Sequence, residues 1–547
     1  MSATTTTATT TTTTTNTTTT QLPGLQAARP GDPATRGVVL AVYAPFGSDA
    51  LLSTYPDGES TTLAQHPLLR HLAEVAAAGT HVVALLDRVD DDTQLVEIDA
   101  FEPARVRITP RWKQDMADVH TLAGFLRHAH RNHPEAAIVL ALEGHGAGFL
   151  PEIDRRQLSA ANLTRGGQIE WRLTGEGGAP TLPQGSPILP QGSPILPQGS
   201  PILPQGSPIL PANHMPLSTW ALGEGLRRAQ AAGVPRLAAI HFNNCFNMAV
   251  ELLHTVAPYA QVATGYPNYN FFTAGAAYPA VFRQWQQAGS ASALQVGHWL
   301  ADGNRAVLAA KGNHPTAGCV IELARLHEIT ERLDDLADAL LAALRTPGGL
   351  LSRQAVVQHI RSAIVQAQQY DTEAGPTLDT PDELTDLHSL ARTLMDQDFG
   401  PFRVHEAAAR LRHALQGIKR YGDSDTPWLA PGVRWDFSEK TLAMNIFLPD
   451  PLLQGHWDWR SPFYLDVNPD PTLPRVQPHI IDFVKTTDWV DFLIEYHKGT
   501  TFKSLRAAAI PEFPVFNERY QAPEPPRPPQ GGDDGGCDHG KPPSPQR

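Results

Sequence analysis

Two side chains in this sequence stand where chemistry is done. His145 closes the run AIVLALEGHGAG, in which an apolar stretch ends in an imidazole followed by Gly146 and Gly148; Cys245 closes the core of RLAAIHFNNCFNMAVEL, in which a second apolar stretch ends in a thiol. Glycines allow a backbone to approach a ligand closely. In open α/β sheets ligands sit outside the carboxyl ends of the strands, so both side chains are expected to project toward one crevice. A thiol near an imidazole and at the mouth of a helix is expected to have a lowered pKa, giving more thiolate at neutral pH. The pair reads as a nucleophile and its base. Each alone is ordinary, because a lone Cys after an apolar run is most often a small core residue and a lone His is usually hydrogen-bonded structure. Their matching positions shift the balance toward catalysis. The carboxylate run Asp87, Asp90, Asp91 and Asp92 lacks the spacing of a dedicated calcium loop and reads as a solvated turn.

The elements that must position them are short apolar runs alternating with amphipathic stretches, the signature of a mostly parallel sheet covered by helices, an α/β class. Val38–Tyr43, Val82–Leu86, Ala136–Leu142, Leu237–Phe242 and Gln261–Thr264 are the expected strands. Val119, Leu122, Leu126 and Ala129 share one helical face, as do Met248, Leu252 and Val256, and these stripes read as core. Farther on, Leu323, Leu326, Leu333, Leu336 and Leu340 mark a long helix, Leu384 to Leu394 another, Thr441–Leu448 a strand and Trp489–Tyr496 a last amphipathic element. The expected organisation is a disordered Thr-rich leader over 1–35, a catalytic α/β domain over 36–320, a mainly helical C-terminal region over 321–505 packed on it, and a disordered Pro/Gly-rich tail over 521–547.

Composition bounds the rest. Of 49 prolines, nine fall in residues 182–211, where Leu-Pro-Gln-Gly-Ser-Pro-Ile repeats four times. Two prolines per copy forbid helix and ladder pairing, so this is read as an extended insertion in a surface loop. At 41% hydrophobic and 18% charged, the chain can bury a large core. A formal charge of −13 argues against a general nucleic-acid or anionic-membrane binder. The three cysteines, Cys245, Cys319 and Cys537, make no disulfide framework and no CxxC pair, so free thiols are the expectation. No spanning helix is read, since the longest uncharged stretch, His254 to Arg283, holds Pro258, Pro267 and Pro279 with Asn268 and Asn270, and no secretory signal is read, since 15 of the first 20 residues are Thr. The chain is expected in the cytoplasm by default, or exported by a route other than the general secretory one.

An apolar strand ending in His-Gly, followed by an apolar strand ending in Cys, resembles the caspase-like cysteine peptidases, and in detail their clostripain (C11) branch. The stretches that carry the resemblance are VVLAVYAPFGSDALL, VVALLDRVDD, ALEGHGAG, NNCFNMAVEL, GCVIELARLHEITERLDDLA, ELTDLHSLARTL, TLAMNIFLPDP and TTDWVDFLIEYH, in order over about residues 37–500. The resemblance implies a caspase-like fold and a catalytic dyad that hydrolyses polypeptide substrates. Cys245 would attack the scissile carbonyl, His145 would protonate the leaving amine, and the backbone N–H groups of Gly146 and Cys245 would hold the oxyanion. No redox or organic cofactor is needed for this chemistry; calcium enters only by analogy, because some relatives need it.

The sequence departs from that pattern at the first specificity pocket. Relatives that cleave after Arg or Lys usually carry Asp two positions before the nucleophile, where this chain has Asn243, followed by Asn244. Downstream, YPNYNFF offers Asn268 and Tyr269 but no acid, and Glu251 reads as packing or capping. A desolvated guanidinium without a carboxylate is costly, so strict Arg preference is not expected. The other class of function is a catalytically silent caspase-like module that recruits partners through its Pro-rich segments. Some relatives mature by cutting themselves between the His and the Cys, and here that interval holds the repeat plus Arg155, Arg156, Arg165 and Arg172. If the pocket has lost its acid, cuts after these arginines fall to another protease. Self-processing predicts that purified wild type is severed between positions 146 and 244 whereas Cys245→Ala stays whole; identical intact masses would end that idea.

Overall fold

The computed structural model describes residues 17–22, 25, 37–45, 62–87, 93–110, 116–144, 146, 148–150, 164–165, 168–169, 217–268, 270, 272–310, 317–346, 351–370, 383–421, 428–430, 433–435, 444–450 and 480–498. The repeat at 182–211, the tail and Cys537 lie outside them.

The main sheet uses strands β1 (Thr18–Gln21), β2 (Val38–Ala44), β3 (His81–Leu86), β4 (Gln94–Ile98), β5 (Arg105–Pro110), β6 (Ala137–Glu143), β7 (Leu237–Asn243), β8 (Ala260–Gly265) and β9 (Gly318–Glu322). A short pair in the C-terminal region joins β10 (Leu384–Asp386) to β12 (Asn445–Phe447), and β11 (Lys419–Tyr421) lies between them in sequence. The main sheet has ten strands in the order β1-β5-β4-β3-β2-β6-β7-β8-β9-β11. Its centre, β3-β2-β6-β7-β8, is parallel throughout, and both flanks are antiparallel. The five central strands are those expected from apolar runs. Every residue of β2 and β7 is buried, the pattern of strands covered on both faces.

Side chains alternate between two cores. Val39, Ala41 and Tyr43 enter one face, and Val38, Leu40, Val42 and Ala44 enter the other. Helices α1 (Pro67–Ala77), α2 (Val119–Asn132), α3 (Thr219–Ala231), α4 (Val250–Val256), α5 (Tyr278–Ala288) and α6 (Ala293–Ala310) cover the sheet: α2, α3 and α4 the first face, α1, α5 and α6 the second. Helix α7 (Leu326–Arg345) presents Leu326, Leu333, Leu336 and Leu340 to the first core. Residues from 384–394, 444–448 and 480–496 join that same core, so these parts of the chain pack on the first face. The boundary near residue 320 is not clean, because β9 crosses it and β11 extends the main sheet from the C-terminal side.

Four expectations need correction. The leader read as disordered contributes β1, antiparallel to β5 with Thr18 opposite Ile108; β-branched threonines suit an edge strand. Leu384–Asp386 is strand rather than helix, and the helix begins at Leu387, where the Asp386 side chain accepts from the Ser389 N–H at 2.7 Å. The antiparallel flanks β4 and β5 were not expected; their alternating QLVEI and RVRITP carry too few consecutive apolar residues to stand out. Asp87 is fully buried at the end of β3 rather than solvated, its N–H bonded to Ala44 O at 3.0 Å. Asp90, Asp91 and Asp92 lie outside the described residues. Among the described residues, no helix is long and apolar enough to cross a membrane.

Candidate active site

Strands β6 and β7 run parallel and in register, with Glu143 opposite Asn243. They therefore end side by side. Cys245 follows Asn243 by two positions, as His145 follows Glu143. His145 itself lies outside the described residues; its neighbours Gly144 and Gly146 do not. Gly146 sits so close to the loop after β7 that a Cβ there would fall 2.0 Å from the Cys245 carbonyl oxygen and 3.1 Å from the Cγ atoms of both Asn244 and Asn247. Glycine at 146 is thus a steric requirement of the approach. Gly148, at φ +67°, donates its N–H to Asn247 Oδ1 at 3.2 Å.

Cys245 is 8% exposed, and its sulfur is hydrogen-bonded to the main chain of Asn270. Sγ donates to Asn270 O and accepts from Asn270 N–H, each at 3.3 Å. Burial pushes the thiol up to about 11, with the Asn270 backbone hydrogen bond pulling the other way. This reverses the lowered pKa expected from the sequence. The physical reason is that helix α4 begins only at Val250, after a loop, so the thiol is not at a helix mouth but in a dry niche. In this state Cys245 is a neutral thiol. Cys319 is fully buried, its Sγ donating to Ala317 O at 3.2 Å, and burial raises it too.

Behind the thiol lies a chain of buried polar side chains. Asn243 Nδ2 donates to Glu143 Oε1 at 3.0 Å and Oε2 at 3.1 Å, and Tyr278 OH donates to Glu143 Oε1. Asn270 Nδ2 donates to Asn243 Oδ1 at 2.9 Å, while its Oδ1 accepts from Asn304 Nδ2 at 3.0 Å. Asn304 Nδ2 also donates to Tyr266 OH at 2.6 Å, and Asn304 Oδ1 accepts from Thr273 Oγ1 at 3.2 Å. Asn270 is therefore gripped on both sides by its amide while its main chain grips the sulfur. Burial raises the Glu143 carboxyl to about 7, against the hydrogen bonds from Asn243 and Tyr278.

The residues read as pocket-forming are placed as follows. Asn243 has its amide committed to Glu143 and Asn270. Asn244 is 5% exposed, and its Oδ1 has no hydrogen-bond partner among the described residues. Asn268 is fully buried, with Oδ1 accepting from Ala317 N–H at 3.1 Å and its carbonyl accepting from Phe246 N–H at 3.0 Å. Tyr269 lies outside the described residues. Glu251 is buried and accepts from Phe447 N–H at 2.8 Å, a packing role that ties α4 to β12. The residues the sequence reading passed over are Glu143, Tyr278, Asn270, Asn304 and Asn445. The signals were a lone acid ending the apolar strand AIVLALE and a lone Asn inside the apolar run LAMNIFL. Among the described residues, no group of three or more His, Cys, Asp or Glu is arranged to hold a metal ion.

No protein-family description matches this chain, and no curated protein matches it by sequence. Among solved structures, it is similar to a secreted C11 cysteine protease of Bacteroides thetaiotaomicron called iotapain, at 12% identity and TM-score 0.47 over 75% of this chain and 94% of that one. The same bacterium's secreted C11 cysteine protease in complex with an irreversible peptide inhibitor gives 13% identity and TM-score 0.47 over 77% and 95% of the two chains. An inactive zymogen C11 protease from Parabacteroides distasonis gives 12% and 0.46 over 77% and 94%.

Two outcomes follow from the geometry. Gly146→Ala should keep its circular dichroism but lose reaction of Cys245 with a peptidyl ketone; undiminished labelling would show that the close approach is dispensable. Glu143 binds its proton more tightly folded, at about 7, than at its ordinary 4.5, so stability should fall as pH rises between those values. In Glu143→Gln that slope should vanish from denaturation curves; an unchanged slope would place its origin elsewhere.

Proposed function

We propose that this protein is a cysteine endopeptidase in which Cys245 is the nucleophile and His145 its proton-transfer partner. The observation that carries the reading is the in-register end of β6 and β7, which sets Gly146, the residue after His145, against the Cys245 carbonyl. The thiol proton passes to the His145 imidazole as sulfur attacks the peptide carbonyl. The C–N bond then breaks with that proton going to the leaving amine. Water hydrolyses the thioester, and the thiol and imidazole are regenerated. The N–H groups of Gly146 and Cys245 hold the developing oxyanion, and donors fixed in this way supply about 3–4 kcal/mol in comparable sites.

The neutral resting thiol fits a site that ionises its nucleophile only as substrate enters. Substrates are polypeptides, and the first pocket is altered: the amide of Asn243, where relatives carry Asp, is spent on Glu143 and Asn270. The neighbouring acid, Glu143, is itself capped by Asn243 and Tyr278, which supports a preference other than strict Arg. Self-processing between His145 and Cys245 belongs to this same reading.

A second reading, the silent interaction module, is favoured by one observation, the buried protonated thiol. A positional-scanning peptide library separates them. Wild type should hydrolyse library members without exclusive demand for Arg or Lys before the cut, and Cys245→Ala and His145→Ala should be inert. Exclusive cleavage after Arg would restore an acidic pocket, and hydrolysis surviving in Cys245→Ala, or absent from wild type, would remove the peptidase assignment.

A further inference from the structure

Cys245 is attached to one loop and hydrogen-bonded to another. The first loop leads from β7 to α4 and contains Phe246, whose φ of +59° places a bulky residue in the left-handed region. The second follows β8 and carries Tyr266, Pro267, Asn268 and Asn270, whose main chain holds the sulfur. The loops are laddered directly to each other, Phe246 N–H to Asn268 O at 3.0 Å and Met248 N–H to Tyr266 O at 3.1 Å. That leaves the carbonyls of Phe246 and Pro267 to be satisfied.

Both are met by one side chain from nearly two hundred positions away in the chain. Asn445 Nδ2 donates to Phe246 O at 2.8 Å and to Pro267 O at 2.9 Å, one proton to each loop. Asn445 N–H donates to Met248 O at 2.9 Å, and Asn445 forms a parallel bridge with Ala249. The asparagine is itself immobilised. It is fully buried in β12, opposite Asp386 of β10, and two residues on Phe447 N–H is bonded to Glu251 of α4. Asp386 in turn accepts from Tyr370 OH at 2.9 Å.

We propose that Asn445 is a positioning residue for Cys245, acting by riveting the loop that bears the sulfur to the loop that hydrogen-bonds it. The proposal rests on the peptidase reading. A positive φ at a non-glycine residue persists only where its surroundings over-determine it, and Asn445 supplies the carbonyl half of that determination at Phe246. Removing the amide takes one donor from each of two buried carbonyls, cuts the tie between the loops and lets the Cys245–Phe246 backbone relax. The sulfur would remain present, but its aim relative to the oxyanion donors would be lost. The C-terminal region is then part of the catalytic apparatus and not only a cover for the sheet.

The test compares two probes on the full-length protein. A peptidyl acyloxymethyl ketone mixture reports attack on a carbonyl, which needs the oxyanion donors; iodoacetamide reports the access and ionisation of the thiol and needs no oxyanion donor. Rates are read by mass spectrometry of the Cys245 peptide. Asn445→Leu should slow ketone labelling by ~100-fold, the scale of a small misplacement at a reacting centre, while slowing iodoacetamide far less. Asn445→Asp, whose carboxyl burial keeps protonated, can still donate one hydrogen bond and should fall between Leu and wild type. Tyr370→Phe, which loosens the same short sheet away from the loops, should change neither rate. Parallel loss with both probes, or an unchanged ketone rate, would overturn the proposal. If Asn445→Leu shows no cooperative melting, Asn445→Asp decides, and a wild-type ratio of the two rates in it overturns the proposal. Wild-type Cys245 that takes iodoacetamide but no ketone would instead sink the peptidase reading, and this inference with it.

Discussion

The pairing of Glu143 with Asn243 across two parallel strands is the constraint on which the site depends. Parallel neighbours in a buried sheet cannot slip by one residue without turning both hydrophobic faces inside out, so the level at which β6 and β7 end is fixed by the whole core. The carboxyl-to-amide hydrogen bonds between the two side chains lock the last rung. Everything beyond that rung, Gly146 on one side and Cys245 on the other, starts from a fixed height. The approach of Gly146 to the Cys245 carbonyl starts from that shared level.

Polar groups buried beside the Cys245 thiol are costly unless each is paired, and here the pairing is continuous from Glu143 through Asn243 and Asn270 to Asn304 and Tyr266. A connected network of this kind has few alternative arrangements, which suits it to holding the Asn270 main chain against the sulfur. The same dryness that demands pairing also raises the thiol and the Glu143 carboxyl. Placement and resting protonation state are thus two results of one burial. Asn445 adds a third anchor from a distant part of the sequence, so the loop that bears Cys245 is fixed from the strand before it, the loop beside it and the C-terminal region.

How much of this was legible from residues alone depended on range. The five central strands were readable because strands covered on both faces are uninterrupted apolar runs, and Trp489–Tyr496 was readable because its helix shows one face to the core. The edge strands were not, because QLVEI and RVRITP owe their pairing to neighbours and not to their own composition. Cys245 at a strand end was readable, but its environment was not: the distance to the start of α4 and the enclosure by Asn270 are set by tertiary contacts. The asparagines illustrate the same limit. Asn243, Asn244 and Asn268 drew attention by closeness to Cys245 in sequence, while Asn445 reaches the same loops only through the pairing of β12 with β10.

The central claim is that positions 145 and 245 share one cleft. It is tested most directly with 1,3-dibromoacetone, a reagent that alkylates a thiol and then a second nucleophile within the span of its short ketone bridge. After reaction of the native protein and proteolytic digestion, the account predicts a cross-linked species joining the Cys245 peptide to the His145 peptide, absent from His145→Ala. Attachment at Cys245 with no bridge, or a bridge to any other histidine, would contradict it.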